Sequence, residues 1–163
     1  MALMGLVSYA QQDTVSVVKY GYLSYDEVFQ SMPEYATMQA NLQTLREKYE
    51  AEQKRVEDDF NKKYEEFLDG QAGFPKTILQ KRQSELQEML DKNIAFKKEG
   101  LRLLSQAEKE AKAPLKQRLA DVLKQVGEAR GYAFILNTDC NAAPWLNAAM
   151  AEDCTETVKA LLK

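Results

Sequence analysis

From Glu34 to Leu68 the apolar residues fall at Tyr35, Met38, Leu42, Leu45, Tyr49, Val56, Phe60, Tyr64 and Phe67, mostly in steps of three and four. That is the helical period with one narrow stripe, so the stretch predicts a single long amphipathic helix. The stripe turns polar at Glu52 and Gln53, where any seam with a partner helix loosens. The period resumes at Ile78, Leu79, Leu86, Leu90 and Ile94 and runs on through Leu101, Leu104, Ala111, Leu115, Leu119, Val122 and Val126. A second, longer helix is predicted there.

The break between them, "DGQAGFPK" at 69–76, reads as a hairpin tip. Gly70 suits a left-handed end to the first helix and Pro75 the first turn of the next. A turn this short makes the two helices antiparallel, an arm of about 54 Å at the helical rise. Residues whose numbers sum to about 145 then face each other, which puts Pro33 near Lys112, Pro114 near Ser31 and Gly100 near Leu45. Two prolines at one level mark Pro33 and Pro114 as the joint between arm and body, because a proline inside a helix removes a backbone bond and bends the path. Gly100 has two readings, a flexible point or a close helix contact.

The remaining pattern changes period. "VSVVKYGYLSY" is rich in β-branched and aromatic residues and predicts a strand ending near Leu23, followed by a Ser24–Glu27 capping box and a short helix with Val28, Phe29 and Met32. After the second arm helix, Gly131 predicts a stop and "YAFILN" a second strand. "PWLN" is expected as a third strand, hairpin-paired with the second, and Asp153 or Thr155 as the cap of a closing helix with Val158, Leu161 and Leu162 on one side. The predicted class is α+β, mostly α: a small three-stranded β body at 13–33 and 114–163, and a coiled-coil hairpin arm at 34–113. A body this small cannot easily bury Tyr20, Tyr22, Tyr25, Phe29, Tyr132, Phe134 and Trp145 within one chain. Pairing with other copies relieves this and also covers exposed strand edges, so Tyr20, Tyr22, Phe29, Phe134, Leu136 and Trp145 are candidates for an oligomer interface.

Charge narrows the function. The net charge of -3 gives no electrostatic case for nucleic acid, and the absence of histidine removes the usual general base and the commonest metal ligand. No phosphate-binding loop or glycine-rich dinucleotide turn occurs, so neither nucleotide, cofactor, metal site nor catalytic constellation is expected. The first arm helix is net acidic and the second net basic, which suits their being neighbours. At the amino terminus, Leu3 to Val7 followed by Ser8-Tyr9-Ala10 reads as the remnant of an export signal within 1–12.

The ordered run of "YGYLSYDEVFQSMPEY", a long charged hairpin, "GYAFILN", "PWLN" and "DCTETVKALL" resembles the Skp/OmpH family of periplasmic chaperones from Val17 to Lys163. The resemblance implies a homotrimer, jellyfish-like, whose arms surround a cavity for unfolded outer-membrane β-barrel proteins in a Gram-negative-type envelope, with transient contact to the membrane surface. It implies a nucleotide-independent holdase; Phe74 at the tip and Phe96 off the seam are candidate client contacts. Basic relatives favour anionic clients and lipopolysaccharide, and this acidic chain departs from them. An exported chain with two cysteines admits a Cys140–Cys154 disulfide, the alternative being that Cys154 serves as a small apolar residue. The rival class is a structural spacer of the envelope that binds no client.

Overall fold

The computed structural model describes residues 18–163. The export-signal reading therefore lies outside the described residues. The order is β1 (Tyr20–Leu23), α1 (Tyr25–Gln30), α2 (Pro33–Gly70), α3 (Lys76–Arg130), β2 (Ile135–Asn137), β3 (Ala151–Asp153) and α4 (Thr155–Leu162), with 3-10 turns at Gln71–Gly73 and Asp139–Asn141. The protein is mostly helical with one small sheet.

The sheet differs from the expectation. Its order is β2-β1-β3 and both pairings are parallel, Tyr22 opposite Leu136 on one side and Tyr22 opposite Asp153 on the other. The third strand is Ala151–Asp153, so "PWLN" lies in the connection and forms no hairpin with β2. The reason is topological: β2 and β3 flank β1, and the connection between them must cross it, which needs more chain than a tight turn.

Alternation along β1 buries Gly21 and Leu23 and leaves Tyr20 and Tyr22 half-exposed. The inner face meets Val28, Phe29 and Met32 from the α1 segment, Leu119, Val122 and Val126 of α3, and Val158 and Leu162 of α4. Gly21 is required by space: a Cβ there would stand 2.8 Å from the Tyr132 ring and 3.2 Å from Cys154 Sγ. The core continues along the helices through Met38, Leu42 and Leu115 and then thins.

Side chains stitch the ends of the strands to the helices. Ser24 Oγ accepts from Glu27 N at 3.1 Å, as a capping box requires, but the Glu27 carboxylate turns to Lys159 of α4 at 2.6 Å instead of closing the box. The end of β2 and the 3-10 turn after it supply further partners to α1: Asp139 accepts from Ser24 Oγ at 2.6 Å and from Asp26 N at 2.9 Å, and Asn137 Oδ1 from Tyr25 N at 3.1 Å. These bonds hold the Asp139 carboxyl below its ordinary range, the Ser24 hydroxyl most of all. The N-cap of α4 is Cys154, which makes no side-chain capping bond, and neither Asp153 nor Thr155, the two residues expected to cap it, holds that position; Asp153, one residue earlier, accepts from Thr155 N at 2.9 Å.

Gly131, at φ 65°, ends α3 with paired bonds from Tyr132 N to Gly127 O and from Gly131 N to Glu128 O. Gly70 does not behave this way. It stays right-handed (φ -94°, ψ -18°), α2 tightens into the 3-10 turn, and the glycine makes room for Phe74, whose Cζ would lie 2.5 Å from a Cβ. Pro75 stands just before α3, not within its first turn.

Candidate functional site

Ascending numbers on α2 meet descending numbers on α3. Asn93 Nδ2 donates to Val56 O at 3.0 Å, and a Cβ on Gly100 would lie 3.2 Å from the Tyr49 ring. Both contacts sum to about 149, one helical turn beyond the expected level. The slip arises at the tip, where the 3-10 turn lengthens the first arm. Gly100 therefore meets Tyr49 and not Leu45, and it is buried in a close helix contact. Asn93 occupies a seam position opposite Val56, and its bond to that backbone carbonyl favours this register over its neighbours.

Pro33 opens α2 as its first residue, behind Met32, so it leaves the helix unbent; Pro114 is the proline inside a helix, near the level of Tyr35 in this register. Of the two, only Pro114 removes an interior helix bond.

Four of the six interface candidates, Tyr20, Tyr22, Phe134 and Leu136, share the outer side of the sheet. Tyr20 stacks on Phe134 with centroids 5.1 Å apart, Tyr22 lies in register with Leu136, and Asn147 N donates to Tyr20 Oη at 3.3 Å, tying down the connection that carries Trp145. Phe134 is 51% exposed and Trp145 78%. Phe29 departs from the set: it is buried in the chain's own core, with Tyr35 edge-on at 5.7 Å. The outer face is only partly covered among the described residues, with Tyr20, Tyr22 and Leu136 half-buried and Phe134 exposed, although parallel sheets are ordinarily buried on both faces.

Phe74 and Phe96 are both engaged locally. The Phe74 ring lies across Gly70 with the Arg82 guanidinium 5.3 Å from its centroid, and Phe96 packs beside Tyr49 at 6.3 Å. The exposed apolar residues lie elsewhere on the pair: Tyr64 and Leu68 on α2, and Ile78, Leu90, Ile94 (60%) and Leu101 (63%) on α3. Leu90, Ile94 and Leu101 share a face of α3 one step aside from the seam line through Leu86, Asn93 and Gly100. Sequence reading folded both rows into one stripe. The signal that separates them was present: α3 carries more apolar rows than a two-helix seam can bury.

The cysteines are free, Cys140 exposed and Cys154 buried, so the disulfide is not formed. β1 runs between the two strands they follow, a separation of about 9.5 Å at ordinary strand spacing, whereas a bridge needs Cα atoms within about 7 Å. Cys154 is part of the core, with burial pushing its thiol pKa up, and Sγ donates to Tyr22 O at 3.3 Å. Beside it the Tyr132 hydroxyl is buried without a partner in bonding geometry, and burial, with the nearby Glu152 carboxylate, pushes its pKa up to about 12. Among the described residues no group of acidic, cysteine or histidine side chains is arranged to hold a metal, and no helix is long and apolar enough to cross a membrane.

The family model described as outer membrane protein (OmpH-like) matches residues 19–162. The chain belongs to the OmpH-like family. A solved structure of an OmpH-like protein from Caulobacter crescentus CB15, which carries a provisional outer membrane chaperone designation, is similar to this OmpH-like chain. It shares 18% identity and a TM-score of 0.68, over 99% of this chain and 90% of that one, a likeness of fold. Comparison with curated proteins finds no match.

Proposed function

We propose that the protein is a nucleotide-independent periplasmic holdase that keeps unfolded outer-membrane β-barrel proteins from aggregating. In this reading three copies join through the outer sheet faces, and the antiparallel pair at 34–113 projects from the joined body as a coiled-coil arm, with Pro114 at the joint. The three arms bound a cavity for the client. The observation that carries it is the exposed apolar row Leu90, Ile94 and Leu101 on a long, otherwise largely polar helix. Such a row on a helical rod is a liability unless it meets another apolar surface. Many weak contacts of this kind, gathered in one enclosure, hold a client through effective concentration without any energy source.

Dilution of a urea-unfolded outer-membrane β-barrel protein into buffer with the purified protein tests this. Suppression of light scattering at about one trimer per client, without nucleotide, is the expected result. A spacer that binds no client leaves aggregation unchanged at a several-fold excess, and that outcome would move the reading to an envelope scaffold.

A further inference from the structure

The exposed row on α3 has a counterpart on α2. Phe60 and Tyr64 stack at 6.0 Å and line, with Leu90 and Ile94, two adjoining hollows on one flank of the helical pair. The polar residues bordering these hollows are mainly amides, Asn61 and Gln83 among them. The charged lining residues, Glu57 and Lys97, stand together at one end and have opposite sign. Elsewhere the same stretch of the pair is densely charged, and several of those charges pair locally: Lys54 with Asp58, Arg55 with Glu52 and Asp59, Lys81 with Glu85. At about 100° per residue these ion pairs fall on the opposite flank and the outer surface.

We propose that this flank is a binding slot for an extended, uncharged segment of unfolded polypeptide, a refinement that rests on the holdase reading. Three features select that occupant. The neutral lining offers a charged segment nothing in exchange for its lost hydration. Asn61 and Gln83 line the hollows from exposed positions, and an amide both donates and accepts. An extended chain has backbone N–H and C=O groups to offer them, whereas a helix has already satisfied its own. From Gln83 to Ile94 the slot runs about 16 Å, the span of about five extended residues, whose alternate side chains then face Phe60, Tyr64 and Leu90.

The test uses full-length protein carrying a photo-crosslinking amino acid at position 94 or, as control, at position 92 on another face, with a urea-unfolded β-barrel membrane protein as probe. Position 94 is expected to crosslink at least several-fold more than position 92, to probe segments poor in Asp, Glu, Lys and Arg. Alongside, Ile94→Asp is expected to weaken probe binding about tenfold with helicity unchanged by circular dichroism. Binding to the unaltered protein is expected to hold within about twofold as salt rises from about 50 to 500 mM, since no exposed charge pairs are broken. Equal crosslinking at the two positions, linked segments as charged as the probe at large, or crosslinks only between copies of this chain would each overturn the slot. If aggregation of the probe is still suppressed in that case, the holdase stands without the slot; if it is not, the holdase fails first.

Discussion

The sheet end and the distal helical pair are built from one chain by opposite economies. Around the sheet, Leu119, Val158, Leu162 and Cys154 are almost wholly buried by neighbours from four or more elements. Beyond Leu42 the pair has one buried hydrophobic side chain, Phe67, and otherwise half-buried contacts interrupted by Asn93 and Gly100. A globular end draws stability from depth of burial, while a two-helix rod has no depth to draw on and gains mainly from helix propensity and one seam. The difference teaches where tolerance lies. The sheet end should punish small changes of volume, and the pair should absorb them while altering what it binds.

The sharpest way to break that contrast is to remove the same side chain at both ends. Leu119→Ala is expected to cost about 2–5 kcal/mol in urea unfolding, and Leu90→Ala, 39% exposed, about 0.5 kcal/mol or less. Equal costs would mean that the pair is as deeply packed as the sheet end. Glycine substitutions sharpen it next. Gly21→Ala drives a Cβ into the Tyr132 ring and should cost about 1–3 kcal/mol. Gly100→Ala meets only the half-buried Tyr49 and gains about 1 kcal/mol of helix propensity, so its midpoint should stay level or rise slightly.

At the tip, Gly70→Ala should expel Phe74 from its seat and speed amide exchange through residues 71–77 while leaving the global unfolding midpoint in place. A large global loss would show that the tip is coupled to the rest. The smallest effect concerns Asp139. Its carboxyl titrates below the ordinary 3.8 in the folded chain, so its stabilisation is complete above that value and is lost as pH falls through the depressed one. Asp139→Asn should therefore unfold at slightly lower urea than the unaltered protein at neutral pH, with the gap closing below about pH 4.

Periodicity made the two long helices, the capping role of Ser24, the stop at Gly131 and the closing helix legible, because each depends on a local pattern with one physical meaning. The third strand was not legible. "PWLN" and "AED" are both too short for alternation to decide between them, and the choice is made by pairing with Tyr20–Leu23, far away in the chain. The arm register missed by one turn for a similar reason: whether Gly70 ends a helix or makes room for Phe74 depends on where that ring goes. The interface candidates were found by counting aromatics, which identifies a surplus but cannot say that Phe29 is consumed internally while Phe134 and Trp145 stay exposed. Asp139 and Asn137 escaped notice entirely, since nothing near them in the chain shows that they cap a helix more than a hundred residues earlier.

The open sheet face decides the account, and the mass of the full-length protein in solution tests it most directly. Sedimentation equilibrium at micromolar concentration is expected to give three chain masses, falling towards one when Tyr20 and Phe134 are both replaced by serine. A stable single-chain mass for the unaltered protein would leave the face uncovered and no enclosure for a client, contradicting the proposed assembly.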